Sequence, residues 1–309
     1  MIKVLFAAGA TRWAQFETHL NAAFKEAGLT VDLALDHAPE DTDYIVYAPN
    51  KDFADFAPYG GVKLVQSLWA GVEGIVTNKT LTQPLARMVD VGLTEGMVEW
   101  VTGHVLRHHL GMDAHIINPK HEWVFAPAPL ARNRTVAVLG LGELGAACAG
   151  ALSALNFNVL GWSRAQKQID GVTCLSGDDG LHAALSQADI LVLLLPLTAA
   201  TENLLNGETL ALMPKDAVII NPGRGPLIDD EALLAALESG QIGHATLDVF
   251  RIEPLPQGHA FWAHPNVTVT PHIASETRAE TASLIVADNI RRVESGDPPR
   301  FLVDRRAGY

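Results

Sequence analysis

Three apolar segments in the second half of the chain are each followed by a polar residue of a different chemical type. Residues 217–221 lead into Arg224, residues 245–250 lead into Glu253, and residues 267–271 lead into His272. In an open parallel sheet, ligands bind in the crevice at the carboxyl ends of the strands. A guanidinium, a carboxylate and an imidazole at such an edge suggest redox chemistry on a small carboxylic acid, because the glycine-rich turn at residues 140–145 would place a nucleotide beside them.

These three side chains have complementary abilities. The planar fork of Arg224 matches a carboxylate plus an adjacent carbonyl oxygen. His272 would protonate the carbonyl oxygen as a general acid while hydride arrives at carbon. Glu253 would hydrogen-bond the other ring nitrogen and favour the protonated ring. The alternatives are an interdomain salt bridge for Arg224 and a structural role for His272.

A glycine-rich turn precedes all three residues in the chain. It follows a predicted strand and opens a predicted helix, which is the context that a dinucleotide-phosphate cradle requires. Gly142 lets the backbone approach the pyrophosphate, and the first backbone N–H groups of the helix would face the phosphate. The alternative is a glycine-rich turn that binds no ligand. The predicted phosphate contacts are Gly140, Gly142, Glu143, Leu144 and Gly145.

The residues at the end of the following strand indicate which dinucleotide would bind. NAD sites place an acidic residue there for the ribose hydroxyl, whereas this chain has Ser163 and Arg164, with Lys167 close behind. Arginine can pair with a 2′-phosphate in a bidentate fork. NADP is therefore favoured over NAD, and the alternative is that Arg164 is a solvated surface residue.

Further cofactor contacts are predicted at other strand ends. Asp248 is a candidate partner for the nicotinamide carboxamide, or alternatively a cap of the following turn. Thr198 and Thr201 either contact the cofactor or form an ordinary Ser/Thr turn. The small neighbours of Arg224 are predicted to leave room for a ligand against the backbone. The remaining predicted contacts are Leu195, Pro196, Pro222, Gly223, His272 and Ala274.

Composition excludes several classes of protein. The net charge of −13 argues against a nucleic-acid partner, because neutralising phosphates requires a basic surface. The two cysteines, Cys148 and Cys174, have no metal spacing and favour a reducing cytoplasm. No apolar run reaches the length of a membrane helix. His104 and His108 lie four apart without the further ligand of a zinc motif, so no metal site is predicted.

The elements that must position these residues alternate between strands and helices. This alternation predicts parallel, doubly wound α/β sheets. Strands are predicted at residues 3–8, 30–35, 44–47, 64–68, 135–139, 158–162, 190–195, 217–220, 245–247 and 267–270. Helices are predicted at residues 13–26, 95–110, 144–155, 230–238 and 276–294, the last of which returns to the first domain.

Three motifs carry a resemblance to a known family. Residues 221–225 (Asn-Pro-Gly-Arg-Gly), 248–255 (Asp-Val-Phe-Arg-Ile-Glu-Pro-Leu) and 270–274 (Thr-Pro-His-Ile-Ala) resemble signatures of the D-2-hydroxyacid dehydrogenases, in particular the glyoxylate/hydroxypyruvate reductase A branch. The resemblance implies that Arg224, Glu253 and His272 form the catalytic set. It also implies that backbone amides in the Ala70–Gly71 loop hold the substrate carboxylate and that Tyr47 lies near the substrate.

The same resemblance implies the domain organisation. A Rossmann NAD(P)-binding domain at residues 99–275 is inserted in a flavodoxin-like substrate domain at residues 1–98 and 276–309. Residues 100–125 would form the arm of a homodimer. The chain departs from the family pattern at residues 95–100, where the interdomain helix begins, so nicotinamide contacts are not carried over there.

The sequence therefore predicts a cytoplasmic, NADPH-dependent reductase of small 2-keto acids such as glyoxylate and hydroxypyruvate. NADH is the less favoured cofactor, and the substrate is a small anionic acid. Two alternatives remain open: a reductase of larger, phenylpyruvate-like 2-keto acids, and a dinucleotide-sensing binding protein without turnover.

Overall fold

The computed structural model of the chain describes residues 1–308 and divides into two compact units. Unit 1 comprises Met1–Leu93 and the chain from Glu276 onward, and unit 2 comprises Thr94–Ser275. A long helix, α3 (Val91–His109), runs through the first division. The sequence predicted this boundary slightly later, between residues 98 and 99.

Unit 1 is built on a five-stranded parallel sheet with the strand order β2-β1-β3-β4-β5. This order reverses direction between β1 and β3, as in flavodoxin-like sheets. Its strands are β1 (Ile2–Ala7), β2 (Val31–Ala34), β3 (Tyr44–Tyr47), β4 (Leu64–Ser67) and β5 (Leu85–Ala86). Its helices are α1 (Ala10–Glu26), α2 (Glu73–Val76) and α9 (Ala279–Glu294).

The core of unit 1 explains why a C-terminal helix belongs to an N-terminal domain. Phe24 of α1 and Ile290 of α9 are buried in one cluster with Phe6 and Val46 of the sheet. Strand β3 and most of β1 are buried on both faces, which is why they read as apolar runs without polar alternation.

Unit 2 is built on a seven-stranded parallel sheet with the order β12-β11-β10-β9-β6-β7-β8. The direction of winding reverses between β6 and β9, which defines the crevice where Rossmann sheets bind dinucleotides. Its strands are β6 (Thr135–Leu139), β7 (Asn158–Trp162), β8 (Thr173–Leu175), β9 (Ile190–Leu193), β10 (Ala217–Asn221), β11 (Ile242–Leu247) and β12 (Val267–Val269). Its helices are α4 (Asp113–Ile116), α5 (Glu143–Ala154), α6 (Gly177–Gln187), α7 (Gly207–Ala211) and α8 (Asp230–Glu238).

Alternate residues of β6 enter two different cores. Ala137 and Leu139 pack in one cluster, whereas Val136 and Val138 pack in the other together with Val101 of α3. Both faces of the sheet are therefore covered, which confirms the predicted doubly wound α/β class.

Several elements differ from the sequence prediction. Strands β5 and β8 and helices α2, α4, α6 and α7 were not predicted, and β11 begins at Ile242 rather than Ala245. Gly243 and His244 interrupt the apolar run at the start of β11, which obscured it. Within residues 1–308, no helix combines the length and apolar character needed to cross a bilayer.

Candidate active site

The glycine turn after β6 is shaped by two close backbone approaches. Gly140 has a φ of +106°, and a Cβ there would lie 2.5 Å from the carbonyl oxygen of Leu194. A Cβ at Gly145 would overlap the carbonyl oxygen of Gly140. Glycine is therefore required at position 140 by its left-handed backbone and the close approach of the chain after β9, and at position 145 by the packing of α5 against the turn.

Gly142 differs from Gly140 and Gly145. A Cβ there would meet nothing within 4 Å, so the space beside its main chain is open. Gly142 also precedes the first turn of α5, and within the described chain no side chain caps this helix. Backbone N–H groups in a first helical turn have no partner in their own helix, so Glu143 and Leu144 present donors suited to a phosphate.

Ser163, Arg164 and Lys167 follow β7, the strand next to β6. The Ser163 hydroxyl donates to the carbonyl oxygen of Ala165 at 2.7 Å, which turns the chain. Arg164 and Lys167 are exposed on this turn. The structure therefore places two cations at the end of the second strand of the βαβ unit, where the ribose substituent is read in such folds.

Arg224 follows β10 on a loop that is tied to the strand end. The buried amide of Asn221 donates to the carbonyl oxygen of Arg224 at 2.9 Å and accepts from the N–H of Gly223 at 3.1 Å. The guanidinium donates from Nη1 to the carbonyl oxygen of Gly223 at 2.6 Å. Asn221 was not singled out from the sequence, although a buried amide at a strand end is a signal of such a tie.

The glycines beside Arg224 do not leave room for a ligand, contrary to the sequence prediction. A Cβ at Gly223 would lie 2.8 Å from the carbonyl oxygen of Leu193, and a Cβ at Gly225 would overlap the backbone of Phe250. These glycines let the ends of neighbouring strands approach each other. Pro222 and Gly223, predicted cofactor contacts, are buried in this packing.

His272 and Glu253 form a hydrogen-bonded pair. Nδ1 of His272 lies 2.7 Å from Oε2 of Glu253, and the other carboxylate oxygen accepts from the N–H of Phe250 at 2.9 Å. An ionised carboxylate can only accept, so Nδ1 carries the proton and Nε2 is left facing away from Glu253. The two side chains are 52% and 35% exposed, which leaves the imidazole accessible.

The main chain of His272 is held in the left-handed region, with a φ of +54°. Its N–H donates to the carbonyl oxygen of Asp248 at 2.8 Å. The side chain of Asp248 accepts from the hydroxyl of Thr270 at 2.6 Å and from the N–H groups of Ile273 and Ala274, both at 2.9 Å. Asp248 is fully buried, and these bonds are those of the turn-holding alternative rather than of a cofactor contact.

The residues after β9 also make local bonds. The hydroxyl of Thr201 donates to the carbonyl oxygen of Pro196 at 2.7 Å, and the N–H of Thr198 donates to Thr201 Oγ1 at 2.8 Å. This is the Ser/Thr turn that the sequence left open. Leu195 is buried, and the main-chain N–H of Ala274 is already used by Asp248.

In unit 1 the Ala70–Gly71 loop follows β4. The N–H of Trp69 donates to Ser67 Oγ at 3.0 Å, and the carbonyl oxygen of Trp69 accepts from the N–H of Met88 at 3.0 Å. The N–H groups of Ala70 and Gly71 donate to no acceptor among residues 1–308. Hydrogen bonds therefore fix the loop at Trp69, and the next two residues offer two adjacent N–H donors.

Tyr47 has a different environment from the one predicted. The residue is 6% exposed, and its ring lies 5.0 Å from the ring of Phe56 and 6.0 Å from that of Phe53, centroid to centroid. Burial raises the pKa of its hydroxyl. This packing favours a role in the core of unit 1 over the predicted substrate contact.

The three catalytic candidates come together in unit 2 because β10, β11 and β12 are neighbours. These strands pair in parallel, so Arg224, Glu253 and His272 all follow the carboxyl edge of one sheet. This is the edge that also carries the glycine turn, since β6 and β9 run in the same direction. The arrangement can hold an anion, orient a carbonyl group and donate a proton beside a bound dinucleotide.

Comparison with known proteins identifies the family of the chain. A family model described as the NAD binding domain of D-isomer specific 2-hydroxyacid dehydrogenases matches residues 104–274. A glyoxylate/hydroxypyruvate reductase A from Serratia proteamaculans strain 568 is 39% identical over 282 residues, which cover 89% of either chain.

Two solved structures are similar over the whole chain. A D-isomer specific 2-hydroxyacid dehydrogenase from Xanthobacter autotrophicus Py2, in complex with NADPH and MES, has a TM-score of 0.92 and 39% identity, with 100% of this chain and 99% of that one covered. An NADPH-dependent glyoxylate/hydroxypyruvate reductase from Sinorhizobium meliloti, in complex with NADP and sulfate, has a TM-score of 0.87 and 36% identity, with 100% of both chains covered. The family resemblance is thereby confirmed, and the chain belongs to the D-isomer specific 2-hydroxyacid dehydrogenases.

Proposed function

We propose that this protein reduces small 2-keto acids, glyoxylate and hydroxypyruvate, to 2-hydroxy acids with NADPH. The observation that carries the proposal is the 2.7 Å pair of His272 and Glu253, which follows the same sheet edge as Arg224 and the glycine turn. The names of the Serratia and Sinorhizobium relatives support the substrates, and the NADPH and NADP complexes support the cofactor.

The residues of the glycine turn would hold the dinucleotide. Open space beside Gly142 and the uncapped first turn of α5 fit a pyrophosphate. Arg164, with Ser163 and Lys167, would bind the 2′-phosphate, which supports NADPH over NADH. When bound, this cofactor supplies the hydride that reduces C2 of the substrate.

The chain's own residues would bind and polarise the substrate. Arg224 would pair with the carboxylate and the adjacent carbonyl oxygen, and the donors of Ala70 and Gly71 would hold the carboxylate. His272 would donate a proton from Nε2 to the carbonyl oxygen, because Nδ1 is engaged with Glu253. The carboxylate of Glu253 would stabilise the imidazolium before the transfer.

Self-association is part of the proposal. Residues 100–125 would form the arm of a homodimer, and several apolar side chains along this stretch are exposed. Trp123 is 98% exposed and Phe125 is 87% exposed, and exposed apolar clusters of this kind mark interaction surfaces. A second copy of the chain is the proposed partner, and a cytoplasmic location is proposed from the two free cysteines.

The test is a rate measurement with both cofactors and a panel of 2-keto acids. We expect NADPH oxidation with glyoxylate and hydroxypyruvate, and at least about a tenfold preference for NADPH that Arg164→Ala reduces while the control Arg132→Ala does not. Preferred turnover of phenylpyruvate would point to the larger-substrate alternative. Cofactor binding without turnover of any acid would favour the sensing alternative and overturn the proposal.

A further inference from the structure

Arg12 lies in the first turn of α1 and reaches the Ala70–Gly71 loop within unit 1. Its guanidinium carbon is 5.7 Å from the centroid of the Trp69 indole ring. Trp69 immediately precedes Ala70 and Gly71. Strands β1 and β4 are parallel members of one sheet, so α1 and this loop both begin at its carboxyl edge.

Arg12 differs from other cations of unit 1 in its partners. Lys3 pairs with Asp41 at 2.7 Å, and Lys63 pairs with Glu294 at 2.7 Å. Within residues 1–308, Arg12 makes no hydrogen bond and no ion pair, although it is half-buried. Stacking on an indole holds a guanidinium in place, while its N–H donors stay available for a partner outside the protein.

Two distinct polar features therefore lie at this loop. The N–H groups of Ala70 and Gly71 belong to the main chain, whereas the guanidinium of Arg12 is anchored on the Trp69 ring. A 2-keto acid with an oxygen on C3 has two polar ends to match them. Glyoxylate has no C3, and pyruvate has a C3 without an oxygen, so neither can use the second feature.

We propose that Arg12 is a specificity residue that hydrogen-bonds an oxygen on C3 of the substrate. This assignment rests on the proposed 2-keto acid reductase function and extends it to the far end of the substrate. The site then favours 2-keto acids with a hydroxyl or carboxylate at C3. A site built to bond a substrate hydroxyl discriminates strongly against the analogue that lacks it.

The experiment compares hydroxypyruvate with pyruvate, because they differ only in the C3 hydroxyl. We expect Arg12→Ala to lower kcat/KM for hydroxypyruvate by about tenfold or more, mainly through KM, and to change kcat/KM for pyruvate by less than about twofold. Lys25→Ala, which removes a cation from the last turn of the same helix, is the matched control and should change neither.

Three results would overturn the assignment. An equal loss of kcat/KM for both acids means that Arg12 supports the shared carboxylate or the loop, and an unchanged kcat/KM for both means that it does not contact the substrate. A wild-type protein that turns over neither hydroxypyruvate nor glyoxylate overturns the proposed function itself, together with this extension. Arg12→Lys, which keeps the charge and the ring contact, serves if the alanine variant unfolds, and its ratio should fall between those of the wild type and alanine.

Discussion

At the scale of single residues, the imidazole of His272 is positioned through its main chain as well as through its side chain. The left-handed backbone at His272 is rare for a residue with a side chain, and such conformations cluster at functional sites. Asp248 maintains it by accepting from the turn on both sides of His272. A buried carboxylate therefore sets the orientation of the proposed proton donor.

Alanine substitutions at two glycines of the same turn are expected to have different effects, one on cofactor binding and the other on stability. Gly142→Ala adds a methyl group to open space, so we expect unchanged stability and at least about a tenfold higher KM for NADPH. Gly145→Ala would overlap the carbonyl oxygen of Gly140, so we expect a loss of about 1–3 kcal/mol in the free energy of unfolding. Thermal melts and NADPH titrations check both, and a Gly142→Ala protein with normal NADPH affinity would contradict the phosphate cradle.

At the scale of elements, α3 packs against β11 through uncharged histidines. Nε2 of His108 lies 2.8 Å from Thr246 Oγ1, and its ring centroid is 4.8 Å from that of His244. Burial lowers the pKa of His108 to about 3 and that of His244 to about 4. The other charged groups near them include Arg107, which lowers both values, and Asp113, which raises both.

This histidine pair makes the stability of unit 2 dependent on pH. Below pH 6.5 the unfolded chain binds protons at these histidines, whereas the folded chain binds them only near pH 4 at His244 and near pH 3 at His108. The free energy of unfolding therefore falls as the pH falls from 6.5 towards those values, and above pH 6.5 the two histidines cause no such loss. Each histidine adds a slope of up to about 1.4 kcal/mol per pH unit. We expect His108→Gln to flatten the fall in urea-unfolding free energy across that window, and the exposed control His19→Gln to leave it steep.

The sequence predicted some elements well and others poorly, for physical reasons. Strands β6 and β7 and helix α8 were predicted at their observed bounds, because continuous apolar runs and the Asp229 cap mark them locally. Strands β5 and β8 have two and three residues, too short for a period to be read. The residue types at the site were predictable from the motifs, whereas the partners of Asp248 and Tyr47 depended on tertiary packing.

At the scale of the whole molecule, several apolar side chains between residues 110 and 130 are exposed in the single chain. A partner surface that covers them would explain this exposure. We expect wild-type protein to run as a dimer in light scattering, and Trp123→Ser with Phe125→Ser to shift it to monomer at micromolar concentration, because apolar anchors at an interface carry much of its binding energy. The control Trp262→Ser changes another exposed tryptophan outside the arm and should stay dimeric. A wild-type monomer would contradict the assignment of residues 100–125.

The central claim is that His272 donates the proton to the carbonyl oxygen of a 2-keto acid as it is reduced. The turnover rate of the His272→Asn variant tests this claim most directly. Asparagine tolerates the left-handed backbone but cannot act as a general acid. We predict that kcat for NADPH-dependent hydroxypyruvate reduction falls by about a hundredfold or more, while the Kd for NADPH stays within about twofold and the exposed control His182→Asn retains full activity. A His272→Asn variant that keeps the wild-type kcat would contradict the account.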